Sequence, residues 1–122
     1  MSKKVKKTVR RPVKHPDVLD AIRRCAKEGN FRLKDHAEER TNERVVTRLE
    51  IAHILQAGVW EKIRDRYCEF QKEWSYSFKG PTIDNDLLRV IVSITEMDTG
   101  EIVWIVTAYF LNENEVRNKK TI

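Results

Sequence analysis

The chain has 122 residues, which is enough for one compact domain and too few for two separate cores. Hydrophobic residues make up 40% and charged residues 35% of the sequence, which excludes a disordered chain and predicts a globular body with a crowded ionic surface. No apolar run approaches the roughly 20 residues that a membrane span needs, and the N-terminus lacks the apolar segment of a signal peptide. We therefore expect a cytoplasmic protein without membrane contact.

The positive charge is concentrated at the N-terminus. Of the net charge of +5, residues 1–14 contribute seven basic residues and no acidic one, so the rest of the chain carries −2. Such an arm either raises nonspecific affinity for a polyanion or is a solvated tail without a dedicated role. We predict a flexible basic tail over residues 1–15, one domain over 16–111 and a polar tail over 112–122.

Three helices are predicted in the first half of the chain. Apolar residues at helical spacing and a terminal Gly29 predict the first helix over residues 16–28. A second helix is expected to end near Arg44. Thr47 and Glu50 then form a capping box that starts a third helix, and Gly58 is expected to end it in the C′ position.

From Val59 onward the apolar period changes to two, which predicts strands. Asp98-Thr99-Gly100 fits a three-residue hairpin, and short connections between consecutive strands favour an antiparallel meander. The predicted fold class is therefore α+β, with three N-terminal helices packed on a four-stranded antiparallel sheet. The four predicted strands cover residues 59–67, 74–79, 87–95 and 102–111.

The predicted second helix carries a candidate site. His36, Arg40 and Arg44 recur at four-residue spacing, so one helix face would present an imidazole and two guanidinium groups. The alternative is an ordinary solvated face, because the same short helix also contains three glutamates that can form weak ion pairs.

A second group of candidates lies on the predicted sheet. Arg89 of the third strand shares a face with Thr107 and Tyr109 of the fourth if the two strands pair in the favourable register, with Val103 and Ile105 on that same face. Lys79 would join them from the second strand. Each residue also has an ordinary interpretation, because a strand arginine often pairs with a carboxylate, and Thr and Tyr are good strand formers.

Other motifs are absent or ordinary. Cys25 and Cys68 form no CxxC pair, so two reduced structural thiols are expected rather than a disulfide or a metal site. The glycine-rich nucleotide motifs and the HExxH zinc motif are missing, so neither a cofactor nor a metal is expected. His53 is interpreted as a surface histidine, and the three tryptophans are interpreted as packing residues.

The order of these signals resembles a known family. The string His36-Ala37-x-x-Arg40-x-x-x-Arg44-Val45, the triplet Leu88-Arg89-Val90 and the closing Thr107-Ala108-Tyr109 resemble a family of small bacterial proteins labelled a domain of unknown function. That family is associated with RelE-like and MqsR-like toxins, and its genes often lie beside a zinc-finger antitoxin of the MqsA type. The resemblance covers about residues 31–109.

The resemblance implies a fold of the barnase/colicin/RelE kind and metal-independent cleavage of RNA by a toxin of a type II toxin–antitoxin system. The implied partners are RNA, including ribosome-associated mRNA, and a zinc-finger antitoxin protein. Inactive and purely binding versions of such folds also exist, because a fold does not fix a function.

The candidate residues suit this chemistry. His36 is the first candidate for proton transfer, and Arg40 and Arg89 can clamp a phosphate through their planar guanidinium groups. Tyr109 can stack on a base or donate a proton, and Thr107 can hydrogen-bond a phosphate oxygen. Arg44 and Lys79 are expected to bind substrate. The alternative is a noncatalytic module of the same fold that binds nucleic acid or protein.

Overall fold

The computed structural model describes residues 12–34, 46–98 and 100–111. The two α-helices of this part of the chain are α1 (Val18–Glu28) and α2 (Arg48–Ala57). The six strands are β1 (Phe31–Leu33), β2 (Val59–Trp60), β3 (Arg66–Cys68), β4 (Glu73–Pro81), β5 (Leu87–Met97) and β6 (Gly100–Phe110). A 3₁₀ turn over Lys62–Arg64 separates β2 from β3.

The strands form one mixed sheet in the order β1-β6-β5-β4-β2, and β3 also pairs with β4. The long strands β4, β5 and β6 pair antiparallel and form its centre. At one edge, β1 runs parallel to β6, with Arg32 opposite Trp104. At the other edge, β2 and β3 pair antiparallel with successive parts of β4.

The predicted fold of three helices on a four-stranded antiparallel sheet is therefore wrong. Phe31–Leu33, which precedes the predicted second helix and belongs to none of the four predicted strands, forms a strand, because Phe31 and Leu33 point into the core while the backbone pairs with β6. The predicted strand over residues 59–67 is two short strands, because the 3₁₀ turn interrupts its pairing with β4. The predicted second helix, ending near Arg44, lies outside the described residues.

The sequence signals at the helix ends hold for α1 and at the start of α2. Gly29 follows α1 with φ 77°, the left-handed conformation that a residue with a side chain adopts at a cost. The capping box of α2 is complete: the Glu50 backbone N–H donates to Thr47 Oγ1 at 3.1 Å, and the Thr47 N–H donates to the Glu50 carboxylate at 2.9 Å.

Gly58 ends α2 for a different reason from the predicted one. Its φ of −77° is not left-handed, so conformational freedom is not what requires glycine. A Cβ at this position would lie 2.6 Å from the Ile54 carbonyl oxygen and 2.9 Å from the Lys79 carbonyl oxygen. Glycine is needed because the end of α2 passes directly against the backbone of β4.

Both helices cover one face of the sheet and enclose the core. The buried stripe of α1 and that of α2 pack with alternate residues of β4, β5 and β6. Trp60 and Trp74 pack at the margin of this core. Both cysteines are free thiols, and Cys25 is buried. The fully buried residues with the largest side chains are Phe78, Ile22, Ile51, Ile54, Leu55, Leu88 and Ile105.

A bulge in β6 changes which of its residues face the core. Ile91 pairs with Thr107 but Val92 pairs with Ile105, so Val106 is an extra residue. The alternation therefore reverses at this point, and Val103 and Ile105 are fully buried instead of sharing the face of Thr107 and Tyr109 as expected.

The segment before α1 lies against the first half of β4. The Trp74 indole N–H donates to the Pro12 carbonyl oxygen at 2.8 Å, and the His15 backbone N–H donates to the Tyr76 hydroxyl at 3.2 Å. Lys14 pairs with Asp65 at 2.9 Å.

The division of the chain into two tails and one domain stays a prediction. Among the described residues, no helix is long and apolar enough to span a membrane.

Candidate functional site

The sheet face opposite the helices carries two neighbouring rows of polar side chains. In the first row, Lys79 of β4 pairs with Arg89 of β5, which pairs with Tyr109 of β6. In the second row, Ser77 and Thr107 flank Ile91. Because residues two apart on a strand share a face, the polar side chains of both rows point to the same side of the sheet.

Glu61 enters this face from the edge of the sheet. Val59 and Trp60 pair with Lys79 and Phe78, and the next residue, Glu61, donates its backbone N–H to the Ser77 carbonyl oxygen at 2.7 Å. The chain then leaves the sheet in the 3₁₀ turn. This interruption leaves the Glu61 side chain at the end of β2, directed across β4.

The carboxylate of Glu61 forms a two-point ion pair with Arg89. Arg89 Nε donates to Oε1 and Arg89 Nη2 donates to Oε2, each at 3.0 Å. This fork geometry fixes the relative orientation of the two planar groups and is stronger than a single hydrogen bond. Arg89 is only 8% exposed, so the pair lies largely out of water.

Further groups surround the same carboxylate. The Ser77 hydroxyl donates to Glu61 Oε1 at 2.6 Å. Lys79 Nζ lies 3.6 Å from Oε2, and Arg64 Nε lies 4.0 Å from Oε1. Three cations therefore surround one carboxylate, and this cluster keeps a positive excess that favours an anionic ligand.

Tyr109 is tied to the cluster through Arg89. Arg89 Nη1 donates to the Tyr109 hydroxyl oxygen at 3.2 Å, and the guanidinium carbon lies 5.9 Å from the centre of the phenol ring. The Tyr109 hydroxyl oxygen therefore accepts a hydrogen bond from a cation, which holds the phenol beside the Glu61–Arg89 pair.

The ion pair shifts the protonation of both partners. Burial acts to raise the pKa of Glu61, but the hydrogen bonds from Arg89 and Ser77 and the nearby charges bring the pKa below its usual value. The hydrogen bond to Glu61 raises the pKa of Arg89, against the effect of burial. Glu61 is therefore ionised, and Arg89 charged, at neutral pH.

Within the described residues, two buried hydroxyl groups on this face, Thr107 Oγ1 and Ser93 Oγ, have no hydrogen-bond partner. An unsatisfied buried hydroxyl costs on the order of 1–3 kcal/mol. Thr107 belongs to the second polar row, next to the first row with Tyr109.

The structure brings together four of the seven residues that the sequence suggested. Lys79, Arg89 and Tyr109 form one row, and Thr107 lies in the next row on the same face. The remaining three, His36, Arg40 and Arg44, lie outside the described residues. The roles of all seven stay predictions. Within the described residues, no group of three His, Cys, Asp or Glu side chains is placed to hold a metal ion.

Sequence reasoning missed Glu61, the residue at the centre of the cluster. It lies in the string Glu61-Lys62-Ile63-Arg64-Asp65-Arg66, within the predicted strand over residues 59–67, where apolar and polar residues alternate imperfectly. The imperfect alternation was the available signal, because an interruption of the two-residue period marks a place where a side chain can leave its regular face.

This arrangement supplies several elements of acid–base chemistry on a phosphodiester. An ionised carboxylate can accept a proton, the neighbouring cations can stabilise negative charge on phosphate oxygens, and a phenol can donate a hydrogen bond.

Comparison with known proteins identifies a family for this chain. Residues 33–110 match the family described as "Domain of unknown function (DUF4258)". No curated protein matches the chain.

Proposed function

The chain belongs to the DUF4258 family, and from that premise we propose that it is a metal-independent endoribonuclease, the toxin of a type II toxin–antitoxin pair. The observation that carries the proposal is the Glu61 carboxylate, which is held ionised by Arg89 beside Lys79 and Tyr109. The motifs around His36 and Tyr109 resemble a family that is associated with RelE-like toxins, which favours the same chemistry. Such an enzyme meets RNA in the cytoplasm, and this compartment is part of the proposal.

In this mechanism Glu61 is the base. It removes the proton of an RNA 2′-hydroxyl, and the resulting oxygen attacks the adjacent phosphorus. The bond from phosphorus to the 5′ oxygen then breaks, and His36 donates a proton to the leaving oxygen. The products are one RNA end with a 2′,3′-cyclic phosphate and another with a 5′-hydroxyl.

The cations have two functions in this scheme. Lys79 and Arg89, together with Arg40, stabilise the extra negative charge that develops on the phosphate oxygens. A phosphate that binds Lys79 and Arg89 also competes with Glu61 for the hydrogen bonds of Arg89 and for the ion pair with Lys79. The pKa of Glu61 then rises toward its usual value, which makes the carboxylate a stronger base at the moment when the substrate is bound.

Tyr109 and Thr107 position the substrate. Tyr109, which Arg89 holds in place through its hydroxyl oxygen, stacks on a base of the RNA. Thr107, in the neighbouring row on the same face, hydrogen-bonds a phosphate oxygen of the substrate. Arg44 binds a neighbouring phosphate of the RNA.

The proposal is tested with the purified full chain and 5′-labelled RNA in EDTA. We expect cleavage that yields 5′-hydroxyl ends and cyclic phosphates. Replacing His36 by Ala is expected to lower the rate about 10²- to 10⁴-fold, which is the usual value of one proton-transfer group. His53→Ala is the matched control, because His53 is an exposed histidine on α2. Equal rates for the two variants would remove His36 from the mechanism.

A noncatalytic binding module is the second candidate. The observation that favours it is the burial of Arg89, whose guanidinium is already paired with Glu61 and bonded to Tyr109. In that case the cluster is a structural ion pair, and the purified protein binds RNA without cutting it. Expression in a bacterium with and without the neighbouring gene adds a second readout, because a toxin arrests growth and produces new 5′-hydroxyl ends.

A further inference from the structure

In the segment Glu61–Arg66, the acidic side chains are largely buried and the basic side chains are exposed. The two acidic side chains turn into the body of the protein, where Glu61 is 13% exposed and Asp65 is 2% exposed. Glu61 pairs with Arg89, and Asp65 pairs with Lys14 and accepts from the Trp60 indole at 3.0 Å. Both carboxylates are thus paired with groups of the protein itself and add little negative charge to the outer surface.

The remaining side chains of this segment point outward. Ile63 is 97% exposed at the tip of the 3₁₀ turn, and Val59, just before the segment, is 67% exposed. The three cations of the segment are also exposed. We call this surface the basic ridge, and its members are Val59, Lys62, Ile63, Arg64 and Arg66.

The basic ridge begins and ends on edge strands of the sheet, with Val59 on β2 and Arg66 on β3, and its other three members lie on the 3₁₀ turn between them. Among the described residues, β2 pairs only with β4, and β3 also pairs only with β4, so the outer sides of both strands have no neighbouring strand. Such an edge can accept an extended chain through backbone hydrogen bonds. Single exposed apolar residues are common on protein surfaces, but here Ile63 lies between two exposed cations, Lys62 and Arg64, on the turn that joins the two edge strands.

We propose that the basic ridge binds an acidic protein segment, in extended conformation, that carries aliphatic side chains between its carboxylates. Charge complementarity supplies the attraction to Lys62, Arg64 and Arg66, and Ile63 supplies the apolar contact that fixes the register. A segment of RNA fits less well, because single-stranded RNA gains affinity from aromatic side chains, whereas Ile63 and Val59 offer no stacking surface.

The position of the ridge gives this binding a consequence. Val59 pairs with Lys79, and Arg64 lies 4.0 Å from the Glu61 carboxylate. A partner on the ridge therefore lies beside the Glu61 cluster and is expected to hinder access to it. The docking surface itself does not depend on the RNase proposal.

The test uses fluorescence anisotropy with the full chain and three labelled peptides of equal length. One peptide alternates Glu and Leu, the second alternates Glu and Ser, and the third alternates Lys and Leu. We expect the Glu-Leu peptide to bind most tightly. Ile63→Ser is expected to weaken its binding by about 10- to 150-fold, which corresponds to loss of one buried aliphatic contact of ~1.5–3 kcal/mol.

Two controls make the result specific. Leu49→Ser, at an 83% exposed leucine of α2, removes a similar side chain elsewhere and should leave the affinity unchanged. Reversing the three ridge cations to Glu should exchange the preference from the Glu-Leu to the Lys-Leu peptide. Equal loss in Ile63→Ser and Leu49→Ser would overturn the proposal. It would equally be overturned if only a noncleavable 2′-O-methyl RNA bound the cations, with no dependence on Ile63.

Discussion

Glu61 and Arg89 meet above β4, although they come from its two neighbours. Glu61 follows β2 at the edge of the sheet, Arg89 belongs to β5, and two hydrogen bonds of 3.0 Å join them across the surface where Ser77 and Lys79 lie. The pair thus ties three strands together and sets the geometry of the candidate site. Structure and proposed chemistry therefore depend on the same contact.

Glu61→Gln should remove the base without a large change in shape. We expect cleavage of labelled RNA to fall about 10²- to 10⁴-fold, because the amide cannot accept the 2′-hydroxyl proton. Glu96→Gln is the matched control, since Glu96 is an exposed carboxylate of β5 outside the cluster. Wild-type activity in Glu61→Gln would assign the base to another group.

The variant Arg89→Lys distinguishes the effect of the positive charge on stability from that of the two-point hydrogen bond. Lysine keeps the positive charge but cannot form the two-point hydrogen bonds, so we expect the free energy of unfolding to fall by about 1.5–3 kcal/mol, the value of a hydrogen bond to a charged group. Urea unfolding measures this change. Arg66→Lys, at an exposed arginine of β3, should differ from wild type by less than about 0.5 kcal/mol. Similar losses in both variants would mean that the fork geometry is unimportant.

The free energy of unfolding should decrease at acidic pH. The pKa of Glu61 is below its usual value because Arg89 and Ser77 outweigh burial, and the pKa of Glu101 is lowered chiefly by its hydrogen bond with His15. Carboxylates with a lowered folded-state pKa stabilise the protein above the unfolded value of about 4.3, and this contribution is lost as the pH falls through the lower folded values.

The pH dependence can be measured by urea unfolding of wild type and Glu61→Gln. The wild type should be the more stable protein at neutral pH, and the difference should shrink once the pH falls below about 4.3. A difference that stays constant down to about pH 3 would show that the ionised form of Glu61 contributes nothing to stability.

Gly58→Ala should be more damaging than Gly29→Ala, although only Gly29 has a positive φ. The new Cβ at Gly58 would meet two carbonyl oxygens within 3.0 Å, whereas nothing lies within 4 Å of a Cβ at Gly29. We expect about 1–2 kcal/mol for the left-handed strain at Gly29 and a larger loss at Gly58, where α2 must separate from β4. Urea unfolding compares them, and the reverse order would contradict the packing argument.

Local signals in the sequence predicted local structure well. The capping box of Thr47 and Glu50 and the left-handed Gly29 are present as predicted, because each depends only on residues within one turn. Alternation left two registers open for Arg89 relative to Thr107 and Tyr109, and the strands adopt the one that places the three residues on one face.

Features that depend on distant pairing could not be predicted. The three residues of β1 are too short for a periodic signal, and they form a strand only because β6 offers them an edge. The bulge at Val106 leaves no mark in the sequence, because Ile105, Val106 and Thr107 are all β-branched, and the regular alternation therefore predicts the wrong face for Val103 and Ile105. Glu61 was missed because its partner, Arg89, lies 28 residues further along the chain.

The central claim is that the polar sheet face cuts RNA through the neighbouring 2′-hydroxyl. The most direct measurement is mass spectrometry of the products formed in EDTA from an oligoribonucleotide and from the same molecule with one 2′-deoxy residue at the cleaved position. We predict a 2′,3′-cyclic phosphate and a 5′-hydroxyl from the first, and no cleavage at the deoxy position of the second. Equal cleavage of both molecules, or 5′-phosphate ends, would contradict the account.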